Sequence, residues 1–211
     1  MQLQNKQFVV IFDCDGVMFD SRQANINYYN QILKKFGLPP MSEEKEEYVH
    51  MHTADESVQH ILEGTSYFEK AQEFRKTLDY TSFIKDMIIE PGLKDLLREL
   101  KPKFGLAVAT NRSDTMDQVL KTHGLEDIFD IVISSLDVNK PKPDPESLFK
   151  IFDFFQTTPS DSLYIGDSYI DYLTALAANV RFISYKNDDL KADYLASSMI
   201  ELNDVIKEII V

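Results

Sequence analysis

Asp13 and Asp15 stand one residue apart, directly after the apolar run Phe8-Val9-Val10-Ile11-Phe12. Negative charge gathered at the end of a buried segment is stable only when a cation shares it, so the pair predicts a hard divalent metal held by oxygen. Alone the pair decides little, because an acidic turn followed by a permissive glycine, here Gly16, also arises by chance. Three later clusters change the weight. Thr110 and Asn111 close a second apolar run just before a helix expected to start near Ser113, where a hydroxyl and free backbone N–H groups can hold a phosphate; a simple helix cap is the plainer alternative. Lys142 lies in Asn139-Lys140-Pro141-Lys142-Pro143-Asp144-Pro145, a stretch stiffened by its prolines, and its point charge can offset aspartate and phosphate together. Lys140 is the alternative carrier of that charge. Gly166-Asp167-Ser168-Tyr169-Ile170-Asp171 follows another apolar run and brings a second pair of carboxylates; helix capping explains Asp167 by itself.

The elements that must position these groups are legible as short, continuous apolar runs, the pattern of strands buried on both faces of a parallel sheet. Besides the first run they are Phe104 to Ala109, Ile131 to Ser134, Ser162 to Ile165 and Val180 to Tyr185. Helical segments alternate with them: Leu93 to Leu100, Ser113 to His123 closed by Gly124, Asp144 to Phe154, and Tyr169 to Ala178. Phe149, Phe152, Phe154 and Phe155 are expected to face the core from one of these helices. This alternation predicts an α/β fold, a doubly wound parallel sheet of about five core strands with ligands at the carboxyl ends of the strands. Residues 21–89 break the pattern, since they carry helical periodicity and charge without a convincing strand. Helices are expected over Ala24 to Phe36, Glu43 to Val49, Asp55 to Glu63 and Tyr67 to Lys85, and Glu90-Pro91-Gly92 marks the return. The expected division is therefore a core of residues 1–20 and 90–211 with an inserted α-helical module of residues 21–89.

Composition narrows the partners. Twenty-two basic against thirty-five acidic side chains give a formal charge of −13, which repels a nucleic-acid backbone and requires a local cation wherever an anionic substrate binds. Cys14 is the single cysteine, so no internal disulfide forms. The opening MQLQNKQ lacks a signal pattern and no apolar run is long enough to span a bilayer, which predicts a cytoplasmic protein without membrane attachment. Neither carboxylate neighbour favours a Cys14 thiolate, so Cys14 is expected to be buried and without a redox role.

DCDGVMFDS, TN, KPDP and GDSYID occur in the order, and at the kinds of strand ends, found in the haloacid dehalogenase superfamily, and the chain resembles its phosphatase branch almost end to end. The resemblance implies a five-stranded Rossmann-like core with a helical cap after the first motif. It implies that Asp13 attacks phosphorus and ligates Mg2+, that Asp15 protonates the leaving alcohol and then activates water while its carbonyl reaches the metal, and that Asp167 is the further metal ligand. It implies that Thr110 bonds the transferring phosphoryl, that Lys142 neutralises it and positions Asp13, and that Asp171 serves the metal's outer shell or orients Lys142, with Ser168 in support. Dehalogenases and phosphonate hydrolases of the superfamily lack an acid at the position of Asp15, so their chemistry is not expected here. Relatives often carry glycine where this chain has Asn179, a residue that also tolerates a left-handed helix cap.

Substrate and phosphate contacts are expected from Gly16 and Asn111 in the core and from His52 and Thr53 in the cap stretch His50-Met51-His52-Thr53. His60 and His123 are expected on helix surfaces. The leading expectation is hydrolysis of a small phosphorylated metabolite, resembling phosphoglycolate, a sugar phosphate or a nucleotide, by a monomer or dimer. A sugar-phosphate mutase resembling β-phosphoglucomutase uses the same residues. A phospho-accepting signalling domain would need neither the helical insertion nor Asp15, and a silent binding protein would not need the full set of chemical groups present here.

Overall fold

The computed structural model describes residues 8–210; the stretch read above for a signal pattern lies outside them. Six parallel strands form one sheet in the order β5-β4-β1-β6-β7-β8. These are β1 (Val9–Phe12), β4 (Gly105–Ala109), β5 (Ile131–Ile133), β6 (Ser162–Gly166), β7 (Arg181–Tyr185) and β8 (Tyr194–Ala196). The sixth strand exceeds the expected five: β8 is a three-residue edge strand paired to β7, reached through a charged stretch that masks it in the sequence. All four residues of β1 are fully buried, because strand order reverses around it and helices cover both faces. Val10 and Phe12 point into one apolar layer with Leu106, Val108, Leu163 and Ile165, while Val9 and Ile11 join Ala107, Ala109 and Tyr164 in the other. The period-two alternation of a strand thus feeds two cores from one run.

Helices α6 (Leu93–Leu100) and α10 (Met199–Ile210) pack against each other on the first face with α7 (Met116–His123), and α8 (Glu146–Phe155) and α9 (Tyr169–Ala178) cover the second. α7 begins later than expected, at Met116, after Arg112 and Thr115, whose side chains bond to each other. On α8, Leu148, Ile151 and Phe152 face inward at helical spacing, whereas Phe149 and Phe154 are 44% and 37% exposed, so the expectation of four core-facing phenylalanines is corrected. Asn179 does end α9 in the left-handed region, with φ of 53°.

A two-residue antiparallel ribbon, β2 (Phe19–Asp20) with β3 (Ile88–Ile89), brackets the inserted helices. These are α1 (Arg22–Lys35), α2 (Glu43–Met51), α3 (Ala54–Ile61), α4 (Phe68–Arg75) and α5 (Thr81–Ile84). The single helix expected over Tyr67 to Lys85 is broken in two, since the Asp79 carboxylate captures the N–H and hydroxyl of Thr81 and starts a new turn there. An aromatic cluster holds α1 to α5, with the Tyr28 ring 5.2 Å from Tyr80 and 5.4 Å from Phe83.

Candidate active site

The point where strand order reverses is β1, and the groups singled out in the sequence converge beside its carboxyl end. Asp13 follows β1, Thr110 follows β4 and Asp167 follows β6. Lys142 arrives on the loop before α8, and its side chain, 4% exposed, reaches Asp13 Oδ1 at 2.8 Å and Asp171 Oδ1 at 2.5 Å. Lys140 is instead exposed and sits 3.9 Å from Asp144, so the charge inside the site belongs to Lys142. Although burial opposes it, the two carboxylates hold the Lys142 ammonium well above its ordinary value, so it is charged.

Asp171 lies in the first turn of α9 and is fully buried. Its Oδ1 accepts from Lys142 and from the Tyr164 hydroxyl, and its Oδ2 accepts from the N–H and hydroxyl of Ser168 in a reciprocal cap. Burial disfavours its charge, but Lys142 and these hydrogen bonds outweigh burial and keep its carboxyl below the ordinary carboxylate value. Of the two roles implied for Asp171, its bond to Lys142 fits orientation of that lysine, and its closeness to Asp13 and Asp167 fits the metal's outer shell. Gly166 makes the arrangement possible, since a Cβ at that position would lie 2.3 Å from the Asp171 Cβ. Tyr164, which the sequence hid inside an apolar run, accepts from Lys142 Nζ at 2.9 Å and donates to Asp171. All three N–H donors of Lys142 are thereby used, by Asp13, Tyr164 and Asp171.

Asp13 keeps Oδ2 without a hydrogen-bond partner among the described residues and lines the cavity between sheet and inserted helices. Burial pushes its carboxyl up to about 7, the charges of Asp171 and Asp15 adding to the effect and Lys142 opposing it. Burial, then Asp171 and Asp13, raises the Asp167 carboxyl well above its ordinary value. Oxygens of Asp13, Asp167 and Asp171 lie within 4.8 Å of one another. Charges disfavoured in this way are those a divalent cation would relieve, and a set of carboxylate oxygens suits a hard ion, so the residues fit magnesium.

The other expected contacts separate. Gly16 gives its N–H to the Phe19 carbonyl at 2.8 Å instead of facing a ligand, and its φ of +81° and the closeness of Asp167 Oδ2, 2.0 Å from a built Cβ, explain the glycine. The Asn111 amide is spent on the loop of Lys142, accepting from Lys142 N at 2.9 Å and donating to its carbonyl at 3.0 Å, and it also reaches the Met51 carbonyl. Its side chain is therefore a staple between loop and inserted helices. The Thr110 hydroxyl accepts from Arg112 N and retains its own proton for a ligand. His52 lines the cavity, with its ring stacked 3.7 Å from Tyr48. Thr53 caps α3 through Glu56 and lies outside the cavity wall. His60 stacks on the other face of Tyr48, and His123, expected on the surface, packs against the buried Phe19 ring at 4.7 Å. Cys14 is buried, and burial followed by the Asp15 charge pushes its thiol well up, which disfavours the thiolate.

Arg112 escaped the sequence reading. Its side chain is 5% exposed and forks onto Asp15, with Nε 3.1 Å from Oδ2 and a terminal nitrogen on Oδ1. The other terminal nitrogen donates to the Tyr80 hydroxyl at 2.8 Å and to Thr115 at 3.1 Å. Ser21 adds a hydroxyl to Asp15 Oδ1. Burial raises the Asp15 carboxyl, but the Arg112 charge and hydrogen bonds win and hold it below its ordinary value. The one available signal was position, a cation directly after Thr110-Asn111 at a strand end.

Four strand-end clusters on one sheet edge are thus a single site, and the family comparison agrees with its extent: the model of the haloacid dehalogenase-like hydrolases matches residues 10–185. The chain belongs to that family. It is a hydrolase of the phosphatase kind. A solved haloacid dehalogenase superfamily hydrolase of subfamily IA from Geobacter sulfurreducens is 37% identical, covers 94% of this chain and 98% of its own, and superimposes with a TM-score of 0.83. A phosphoglycolate phosphatase of Nitrosospira multiformis is 29% identical over 80% of this chain and 78% of its own length. β-Phosphoglucomutase from Clostridium difficile shares the fold at 23% identity, with a TM-score of 0.84 over 95% of this chain and 96% of its own. Among the described residues of this hydrolase no helix is long and apolar enough to cross a membrane.

Proposed function

We propose that this hydrolase is a magnesium-dependent phosphatase of small phosphate monoesters that works through an aspartyl-phosphate on Asp13. The observation that carries the reading is the clamp on Asp13: Lys142, fixed by Tyr164 and Asp171, holds Oδ1 and leaves Oδ2 toward the cavity. A carboxylate aimed by one oxygen attacks with the other. Asp13 Oδ2 forms the bond to phosphorus as the bond from phosphorus to the ester oxygen breaks, and Asp15 gives the leaving alcohol its proton. Asp15 then takes a proton from water, whose oxygen attacks phosphorus, releases inorganic phosphate and restores Asp13. Thr110 contributes its free hydroxyl proton to the transferring oxygens, and the Lys142 charge counters their growing negative charge at short range. Magnesium would be held by Asp13, Asp167 and the Asp15 carbonyl, and when bound it supplies charge neutralisation for the phosphoryl oxygens.

The helices of residues 21–89 act as the cap that closes over this site and excludes water. The cavity beneath them is lined by Asp13, Thr110 and Lys142 from the core and by Tyr28, His52 and Arg75 from the inserted helices. Tyr28, Arg75 and Arg112 on its wall offer hydrogen-bond donors to the remainder, and because the two arginines are paired with Asp55 and Asp15, a second anionic group is held by drawing one of them toward it.

Phosphate release from 2-phosphoglycolate, small sugar phosphates and nucleoside monophosphates, with magnesium and then with excess chelator, tests the reading. Continuous, magnesium-dependent release from small phosphate monoesters is expected, with loss of release in Asp13→Asn. A single turnover followed by return of the phosphoryl group to substrate would point to the mutase, and undiminished activity in Asp13→Asn would remove the nucleophile.

A further inference from the structure

Asp15 is tied down at both oxygens: Oδ1 accepts from Ser21 and Arg112 and Oδ2 from Arg112, and the paired guanidinium favours its ionised form, which has no proton to give a leaving group. That guanidinium is itself part of the cavity wall and has five N–H donors, four of which are spent on Asp15, Tyr80 and Thr115. The fifth is available to an anion. We propose that Arg112 is a substrate-responsive latch: it restrains Asp15 through these contacts and passes to the second anionic group of a substrate when one binds, freeing Asp15 to serve the ester oxygen.

Three features of the site support the transfer. The guanidinium is anchored at its far side by Tyr80, a residue of the inserted helices that also lies under its face at 5.2 Å, so Arg112 swings about a fixed support without leaving the wall. A carboxylate or phosphate end presents the same two-oxygen edge that Asp15 presents now, so the fork can exchange one partner for the other with little loss. Ser21 keeps Asp15 oriented after Arg112 departs. Arg112 is thus a positioning residue that makes turnover, and not only binding, depend on the remote end of the substrate. This rests on the phosphatase reading above for its catalytic consequence but not for the movement itself.

Two measurements test it. Steady-state kinetics compare 2-phosphoglycolate with ethyl phosphate, which is of similar length but has no carboxylate. In the unaltered protein kcat is expected to favour 2-phosphoglycolate by at least about tenfold, beyond any difference in KM, since the restraining contacts are hydrogen bonds between charged groups. In Arg112→Ala the restraint is gone with both esters, so the kcat for ethyl phosphate rises toward that for 2-phosphoglycolate, whose KM increases, and the kcat ratio approaches unity. A parallel fall with both esters would make Arg112 a binding or folding residue and overturn the latch. The second measurement needs no variant and no turnover: crystal structures of the protein with phosphonoacetate and with methylphosphonate. Arg112 on the carboxylate of phosphonoacetate and still on Asp15 with methylphosphonate is the expected pair; Arg112 on Asp15 in both would refute it. Failure of every ester to be hydrolysed would count against the phosphatase reading, and the crystal pair would still decide the latch.

Discussion

Tyr164→Phe removes one oxygen and should be felt at the far side of the site. That oxygen accepts from Lys142 Nζ at 2.9 Å and donates to Asp171, and the tyrosine is fully buried in the middle of β6. Without it, a buried ammonium N–H and a buried carboxylate oxygen each lose a partner, while the ring still fills its place against Phe182 at 6.0 Å. An unsatisfied buried donor costs about 1–3 kcal/mol. For a chain of this size each kcal/mol lowers the melting temperature by about 2–4 °C, so a loss of about 2–12 °C is expected. If the same cost falls on the transition state, because Lys142 no longer holds Asp13 Oδ1 in one pose, kcat falls by about 5- to 150-fold with KM little changed. Thermal unfolding followed by circular dichroism gives the first quantity and phosphate release at saturating ester the second. A variant that melts within about 1 °C of the original and keeps kcat within about twofold would show that Tyr164 is packing only, and the argument that Lys142 is immobilised by three acceptors would fail.

Gly166→Ala places a Cβ 2.3 Å from that of Asp171, so stability should fall by about 1–3 kcal/mol and kcat with it, as Asp171 is displaced from Lys142; an unchanged melting temperature would contradict the close contact. Burial, against the Asp15 and Asp20 charges and with Arg22 and Arg112, holds His50 below its ordinary 6.5, and its Nδ1 has no hydrogen-bond partner. The unfolded chain therefore takes up the proton first as pH falls, so this contribution is intact above 6.5 and is lost progressively below it. His50→Gln should consequently lose less melting temperature between pH 7.5 and 5.5 than the original protein does, and equal losses would exclude His50 as a source of acid sensitivity. Magnesium at about one hundred times its dissociation constant should add about 2.7 kcal/mol to stability. The gain should be larger at pH 8 than at pH 6, because Asp13, pushed up to about 7, must release its proton to ligate, and Asp167→Asn should abolish it; a gain that survives this substitution would place the ion elsewhere.

What the sequence made legible and what it hid follow from how far each signal travels along the chain. Asp13, Thr110 and Asp167 each follow an apolar run and Lys142 stands in the proline-stiffened loop before a helix, and because parallel strands all present their carboxyl ends to one edge, local reading sufficed to gather them. Arg112 stayed hidden because its meaning is its contact with Asp15, 97 positions away, and nothing near either residue reports that pairing. Tyr164 was hidden for the opposite reason: the strand around it is so apolar that its hydroxyl passed as one more core ring. Gly16 and Asn111 were read as ligand contacts from their places in the motifs; each also meets a backbone demand that the sequence does not show, one through a left-handed turn beside Asp167 and the other, which lines the cavity, through an amide that fastens the loop of Lys142. The edge strand β8 was missed because three residues at a sheet margin carry too little pattern to stand out.

The ribbon of β2 and β3 has a consequence for how such a protein can be altered. The two backbone connections between the sheet and the five inserted helices pass through it side by side, with Asp20 opposite Ile88. An insert joined at two adjacent points behaves as an exchangeable cassette: helices of another length or sequence can be spliced between these two positions without disturbing the order or register of the sheet. Yet Phe19, in that same ribbon, exchanges backbone hydrogen bonds with Cys14 and Gly16, the neighbours of Asp15 on either side. A replacement module that tilts the ribbon would pull on the segment carrying the acid, so transplanted specificity should succeed only when the donor helices preserve the geometry of the joint itself.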